Sequence, residues 1–126
     1  MEYTELDVWK KTRALAKEVY IITKNFPKEE IFGLANQIRR CAVSVPSNIA
    51  EGLGRNTSKD TLHFLFIARG SLYEIETQFY LSNDLNYIEE SDLNSYLQKI
   101  AECKKLLNGF INYYQKLVEN KNNKVD

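Results

Sequence analysis

The sequence predicts an all-α fold, an antiparallel up-down-up-down four-helix bundle. Three observations carry this expectation. Apolar residues recur in steps of three and four along nearly the whole chain, with no convincing run of strand alternation. The pattern divides into four segments of roughly 20–27 residues, each about 30–40 Å long as a helix. The connections between them are short, which makes consecutive helices antiparallel neighbours. A length of 126 residues suits one domain, read as a bundle over residues 1–118 and a polar, frayed tail over 119–126.

The first helix carries Val8, Thr12, Leu15, Val19, Ile22 and Phe26 on one face, widened by Trp9, Ala16 and Tyr20. Asn25-Phe26-Pro27 ends it, because a residue before proline is pushed out of helical geometry. A second helix is expected to start near Lys28–Glu30, where acids oppose the helix dipole favourably. Its apolar face is Ile31, Leu34, Ile38, Cys41 or Ala42, Val45, Ile49 and Leu53. Pro46 falls inside this pattern, and the period resumes in phase after it, so one helix kinked at Pro46 is expected. Gly52 and Gly54 supply a stop.

Thr57 or Ser58 caps the third helix, whose core face is Leu62, Leu65, Ala68, Leu72, Ile75 and Phe79. Phe64, Phe66, Ile67 and Leu81 lie outside that stripe, so this helix is apolar on more than one side. Gly70-Ser71 on it hints at close helix or subunit packing. Asn83 to Glu90 connect to a fourth helix capped by Ser91. There Leu93, Tyr96, Ile100, Cys103, Leu107, Phe110, Tyr114 and Leu117 form a heptad-like seam.

The formal net charge is zero, from 17 basic and 17 acidic residues, which disfavours coating of nucleic acid by bulk positive charge. The balance is segregated: +3 over residues 31–73, −6 over 74–92 and +3 over 93–126. A hairpin of helices two and three turning near Asn56 sets Arg39 and Arg40 level with Glu74 and Glu76. That suggests a structural arginine–carboxylate network. Helix two also carries a polar face of Gln37, Arg40, Ser44, Asn48, Glu51 and Arg55, suited to contact with another helix or subunit.

Chemistry-bearing constellations are not evident, so no catalytic residue, metal or cofactor is expected. His63 is the single histidine, and Asp60-x-x-His63 is only half of a bundle di-metal motif. Glu74 and Glu76 diverge on a helix and cannot act as a carboxylate pair. Gly52-Leu53-Gly54 follows a helix, whereas phosphate loops precede one. Thr57-Ser58 with Arg55 and Lys59 reads as capping before anion binding. Cys41 and Cys103 fall on core faces as inert thiols. The chain opens without a basic start followed by an apolar core, and no run approaches a membrane span. A cytoplasmic protein without a membrane partner or small-molecule substrate is expected.

Several segments together carry a resemblance. They are Val8-Trp9, Val19-Tyr20 and Phe26-Pro27; Phe32-Gly33-Leu34 with Gln37-Ile38-Arg39-Arg40; Val43 to Gly52, including Asn48-Ile49-Ala50-Glu51-Gly52; and Phe64-Leu65 with Ile67 to Gln78. The chain resembles the bacterial four-helix-bundle proteins encoded in 23S ribosomal RNA intervening sequences. The resemblance implies a non-enzymatic, barrel-like homopentamer. Apart from the resemblance, the hairpin register, the polar face of helix two and the Gly70-Ser71 pair give Arg39, Arg40, Asn48, Glu51, Gly70, Ser71, Glu74, Glu76 and Gln78 as the expected structural or interface network. The similar accessory proteins of diversity-generating retroelements bind nucleic acid through a basic surface. In this chain Arg40, Arg55, Lys59, Arg69, Lys104 and Lys105 are the candidates for such contacts with RNA or DNA. The neutral total and the acidic stretch over 74–92 depart from that pattern, so a self-associating scaffold is the first reading.

Overall fold

The computed structural model describes residues 2–124. A 3-10 turn at Tyr3–Glu5 precedes α1 (Asp7–Thr23). A second 3-10 turn at Lys28–Glu30 precedes α2 (Leu34–Leu53), followed by α3 (Ser58–Asp84) and α4 (Glu90–Lys124). Among the described residues there is no strand. Packing joins α1 to α2, α2 to α3, α3 to α4 and α1 to α4, so α1 and α3 lie on one diagonal of an antiparallel bundle. The core follows the predicted faces: Val8, Leu15 and Val19; Ile38, Val45 and Ile49; Leu65, Leu72, Ile75 and Phe79; Ile100 and Leu107. Cys41 and Ala42 are both buried. Buried threonines stay satisfied by bonding back along the helix, as Thr12 does to the Val8 carbonyl at 2.8 Å.

The start of α2 differs from the expectation. Lys28–Glu30 form a separate 3-10 turn, and the α-helix begins only at Leu34, because Gly33 is non-helical at φ −114° and ψ −121°. Ile31, expected on the apolar face, is therefore exposed. Glu30 caps α2 from outside. Its Oε1 accepts the Leu34 N–H at 3.1 Å and its Oε2 accepts the Tyr87 hydroxyl at 2.7 Å. The Tyr87 hydroxyl, then the Leu34 amide, holds the Glu30 carboxyl below its ordinary value, and the same bond pushes the Tyr87 hydroxyl up.

α2 continues as one helix through Pro46 and ends in a tight turn. Gly52 is buried against the start of α3. A β-carbon there would stand 2.9 Å from Phe64 Cβ and 3.1 Å from the Thr61 carbonyl oxygen. Thr61 Oγ1 donates to the Gly52 carbonyl at 2.7 Å, which ties the two helices at the turn. Thr57 caps α3 by accepting the Asp60 N–H at 3.1 Å, as its sequence suggests.

α3 ends in a Schellman closure. Asn86 adopts φ 63°, tolerable for asparagine, while the Tyr87 N–H reaches the Ser82 carbonyl at 2.8 Å and the Asn86 N–H reaches Asn83 at 3.0 Å. α4 begins at Glu90, so Ser91 lies within its first turn and does not cap it. At the other end, α4 is helical through Lys124, whereas the sequence suggested a frayed tail from residue 119. A helix already nucleated on the bundle propagates at little cost through Glu, Asn and Lys. Residues 125 and 126 of that tail lie outside the described residues.

Two outcomes follow from the helix ends. Gly52→Ala should destabilise the bundle by about 1–3 kcal/mol through forced separation of α2 and α3, measured by urea unfolding. Because the Glu30 carboxyl is held below its ordinary value, its contribution is present above that value and disappears as pH falls through the lowered one. Melting temperature followed by circular dichroism should therefore fall below pH 4.5 in part through Glu30. Glu30→Gln should lack that component and melt lower at neutral pH.

Candidate functional site

The expected network between the arginine pair and the two glutamates is not formed. The predicted height is right: the Cys41 thiol donates to Glu74 Oε2 at 3.4 Å, and Ser44 and Ser71 share a hydrogen bond of 3.0 Å. The faces are not. Successive helical residues are turned by about 100°, so Arg39 and Arg40 diverge, as do Glu74 and Glu76. Arg39 turns to α1, donating from Nε to Thr23 Oγ1 at 2.7 Å with its guanidinium 5.0 Å above the Tyr20 ring. Glu76 turns to α4 and pairs with Lys104 at 2.7 Å; that ammonium lies 4.4 Å above the Tyr73 ring. Arg40 is exposed and makes no ion pair among the described residues.

Between α2 and α3 runs a polar seam. Asn48 Nδ2 donates to the Ser44 carbonyl at 2.8 Å and to Ser44 Oγ at 2.9 Å, adjoining the Ser44–Ser71 bond. Gln78 Nε2 donates to Cys41 Sγ at 3.7 Å, while the buried Gln78 carbonyl oxygen has no donor among the described residues. Burial, then the neighbouring Glu74, pushes the Cys41 thiol up. Burial raises the Cys103 thiol to about 11. Both are protonated and unreactive at neutral pH.

Three of the six candidate nucleic-acid contacts are engaged by side chains of the chain itself. Arg55 pairs with Glu51 at 2.7 Å and covers the Phe64 ring, and Arg69 donates to Asn108 Oδ1 at 3.2 Å and covers Phe66. Lys104 is engaged by Glu76, leaving Arg40, Lys59 and Lys105 without ion pairs among the described residues. His63 is exposed, beside the Phe64 ring. No group of three or more His, Cys, Asp or Glu among the described residues is placed to hold a metal ion. Among the described residues no helix is long and apolar enough to cross a membrane.

Two surfaces stand out. The solvent side of α3 presents Phe66, Ile67, Tyr73, Tyr80 and Leu81, all exposed, around Gly70 and Thr77. A β-carbon on Gly70 would meet nothing within 4 Å, so the close approach its sequence suggested does not occur within the chain. Beside it, Tyr73, Glu74, Thr77, Gln78 and Leu81 line a shallow depression of about 360 Å³. The second surface is a groove of about 960 Å³ between the N-terminal 3-10 turn, the end of α2 and α4. It exists because α1 has 17 residues and α4 has 35, so α4 outruns its neighbour. The seam expected to continue through Phe110, Tyr114 and Leu117 instead opens there: Phe110 and Tyr114 are half-buried and Leu117 is exposed. The groove is not legible in the sequence, since Phe110 and Tyr114, which line it, follow the core period of α4.

Arg39→Ala should lower stability by about 1–2 kcal/mol through loss of the charge-assisted bond to Thr23 and the contact with Tyr20. Arg40→Ala should stay within about 0.5 kcal/mol of the parent in the same urea titration, as an unpaired surface residue.

Comparison with known proteins agrees with this architecture. A crystal structure of a protein with unknown function from the S23 ribosomal protein family of Bacteroides thetaiotaomicron VPI-5482 superposes with a TM-score of 0.76 at 24% identity. The match covers 83% of this chain and 95% of that one, and shows a common fold. Among curated proteins, no sequence matches. The family model described as 23S rRNA-intervening sequence protein matches residues 4–109, from the N-terminal 3-10 turn to Gly109 of α4. By that match, which takes in all of α1, α2 and α3, the chain belongs to the 23S rRNA-intervening sequence protein family.

Proposed function

We propose that the protein is a non-enzymatic scaffold that acts as a closed homo-oligomer, pentameric as its family resemblance implies. The observation that carries this reading is the solvent side of α3. Five large apolar side chains there stand 38–50% exposed along one helix face. Isolated exposed apolar residues are ordinary, but a continuous helical face of them marks a contact surface. Two features support it further. Gly70 leaves room for a neighbouring backbone or ring. The basic and acidic stretches of a neutral chain suit contacts between unlike surfaces of successive subunits. On this reading, Arg40, Lys59 and Lys105 form a nucleic-acid surface only if assembly brings copies of them together.

Size-exclusion chromatography with light scattering tests this. The parent should elute as an oligomer. Ile67→Glu with Leu81→Glu, both exposed and outside the core, should reduce it to the chain mass of 14.7 kDa with its helical spectrum intact. A strict monomer at micromolar concentration would refute the reading. The absorbance ratio at 260 and 280 nm of the same peak reports whether nucleic acid accompanies the assembly.

A further inference from the structure

Phe32 is 94% exposed, the most exposed of the large apolar side chains among the described residues, with Ile31 beside it at 52%. Phe32 does not hang on a loose loop. Glu30 fastens the segment to Leu34 on one side and to Tyr87 on the other, at 3.1 and 2.7 Å. Behind it the rings of Phe26 and Tyr87 pack at 5.2 Å, and Phe26 is buried. The aromatic side chain is thus displayed by a clamped corner between α1 and α2, which removes much of the ordering cost of inserting it elsewhere.

The groove left above the short α1 has the complementary character. Its walls are Tyr3, Leu6, Leu53, Phe110, Tyr113 and Tyr114, and Gly109 contributes no side chain to its floor. At about 960 Å³ it accommodates more than a single phenyl group. The chain cannot fill its own groove. Phe32 precedes α2, whereas Leu53 ends it, and a 20-residue helix separates the two by about 30 Å. Charge is matched as well. Glu29 beside the knob and Lys105 at the groove rim are both exposed and have no ion-pair partner among the described residues. Lys28 beside the knob and Glu2 at the rim form a second such pair of opposite sign.

We infer that Ile31-Phe32 of one copy inserts into the groove of a second copy, with Glu29 of the first against Lys105 of the next. The inference rests on the self-association proposed above and gives it a specific contact, distinct from the α3 face. The contact joins unlike surfaces, so it propagates from copy to copy and closes into a ring when the rotation per step permits. It makes the groove a site completed only by a neighbour.

The test uses Glu29→Cys and Lys105→Cys made in separate full-length chains; both native thiols are buried. Treated with a short bis-maleimide, the mixed proteins should give a covalent dimer on a reducing gel, and neither variant alone should. Phe32→Ala placed in the Glu29→Cys chain should reduce the dimer yield at least ~10-fold. Phe32 touches little of its own chain, so the unchanged melting expected for this variant separates lost contact from lost fold. A parent that is oligomeric by light scattering, yet gives no mixed dimer and keeps its mass with Phe32→Ala, overturns this contact and leaves self-association standing. Filling of the groove by a small apolar molecule, seen by native mass spectrometry and unaffected by Phe32→Ala, overturns it equally. A monomeric parent overturns both.

Discussion

The rest of the structure depends on how closely α2 and α3 approach. At their turn the buried Gly52 leaves room for Phe64 and the Thr61 carbonyl, and the Thr61 hydroxyl bonds the Gly52 carbonyl across the gap. Further along, Ser44 meets Ser71 and Cys41 meets Glu74 in the same register. On α2 a small residue, Gly52, Ser44 or Cys41, stands at each point and allows this spacing, and larger ones would wedge the helices apart. Once the register is set, Leu65, Leu72 and Phe79 must face the core, and Ile67, Gly70 and Leu81 are left facing outward. The apolar outer face of α3 is therefore a consequence of how its inner face is seated.

Much of the fold was legible because burial in a bundle repeats every three or four residues. Val8, Leu15, Ile38, Val45, Leu72 and Ile100 all occupy the faces their spacing assigns. Ends were less legible, for local reasons. At Gly33 a single non-helical residue separates a 3-10 turn from α2, and the acids read as first-turn residues include the external cap Glu30. Its partner Tyr87 is 57 residues away, and nothing in periodicity connects the two.

The candidate site shows a sharper limit. Hairpin counting gives the height at which side chains sit but not the direction in which they leave the helix. Arg39 and Glu76 share a level and point to α1 and α4 respectively. The large groove was hidden for a different reason, since it comes from a mismatch in helix length. Phe110 and Tyr114 obey the core period of α4 but lie partly beyond the reach of α1. The result is a chain with two unlike ends. One displays a fastened phenylalanine beside free charges, and the other keeps an aromatic hollow. Neutrality of the whole chain conceals this polarity.

The two thiols have a consequence for how the bundle opens. Cys41 lies on the α2–α3 seam, and Cys103 on α4 near the Lys11–Glu102 pair that links α4 to α1. A buried, protonated thiol reacts with an alkylating reagent only during excursions that expose it, so its labelling rate measures the population of the open state. Because the pair sits in different helix interfaces, the chain carries two built-in clocks. Equal rates would mean that the four helices part together. A faster Cys103 would mean that the short α1 detaches first and leaves the α2–α3 hairpin as the last unit to dissolve.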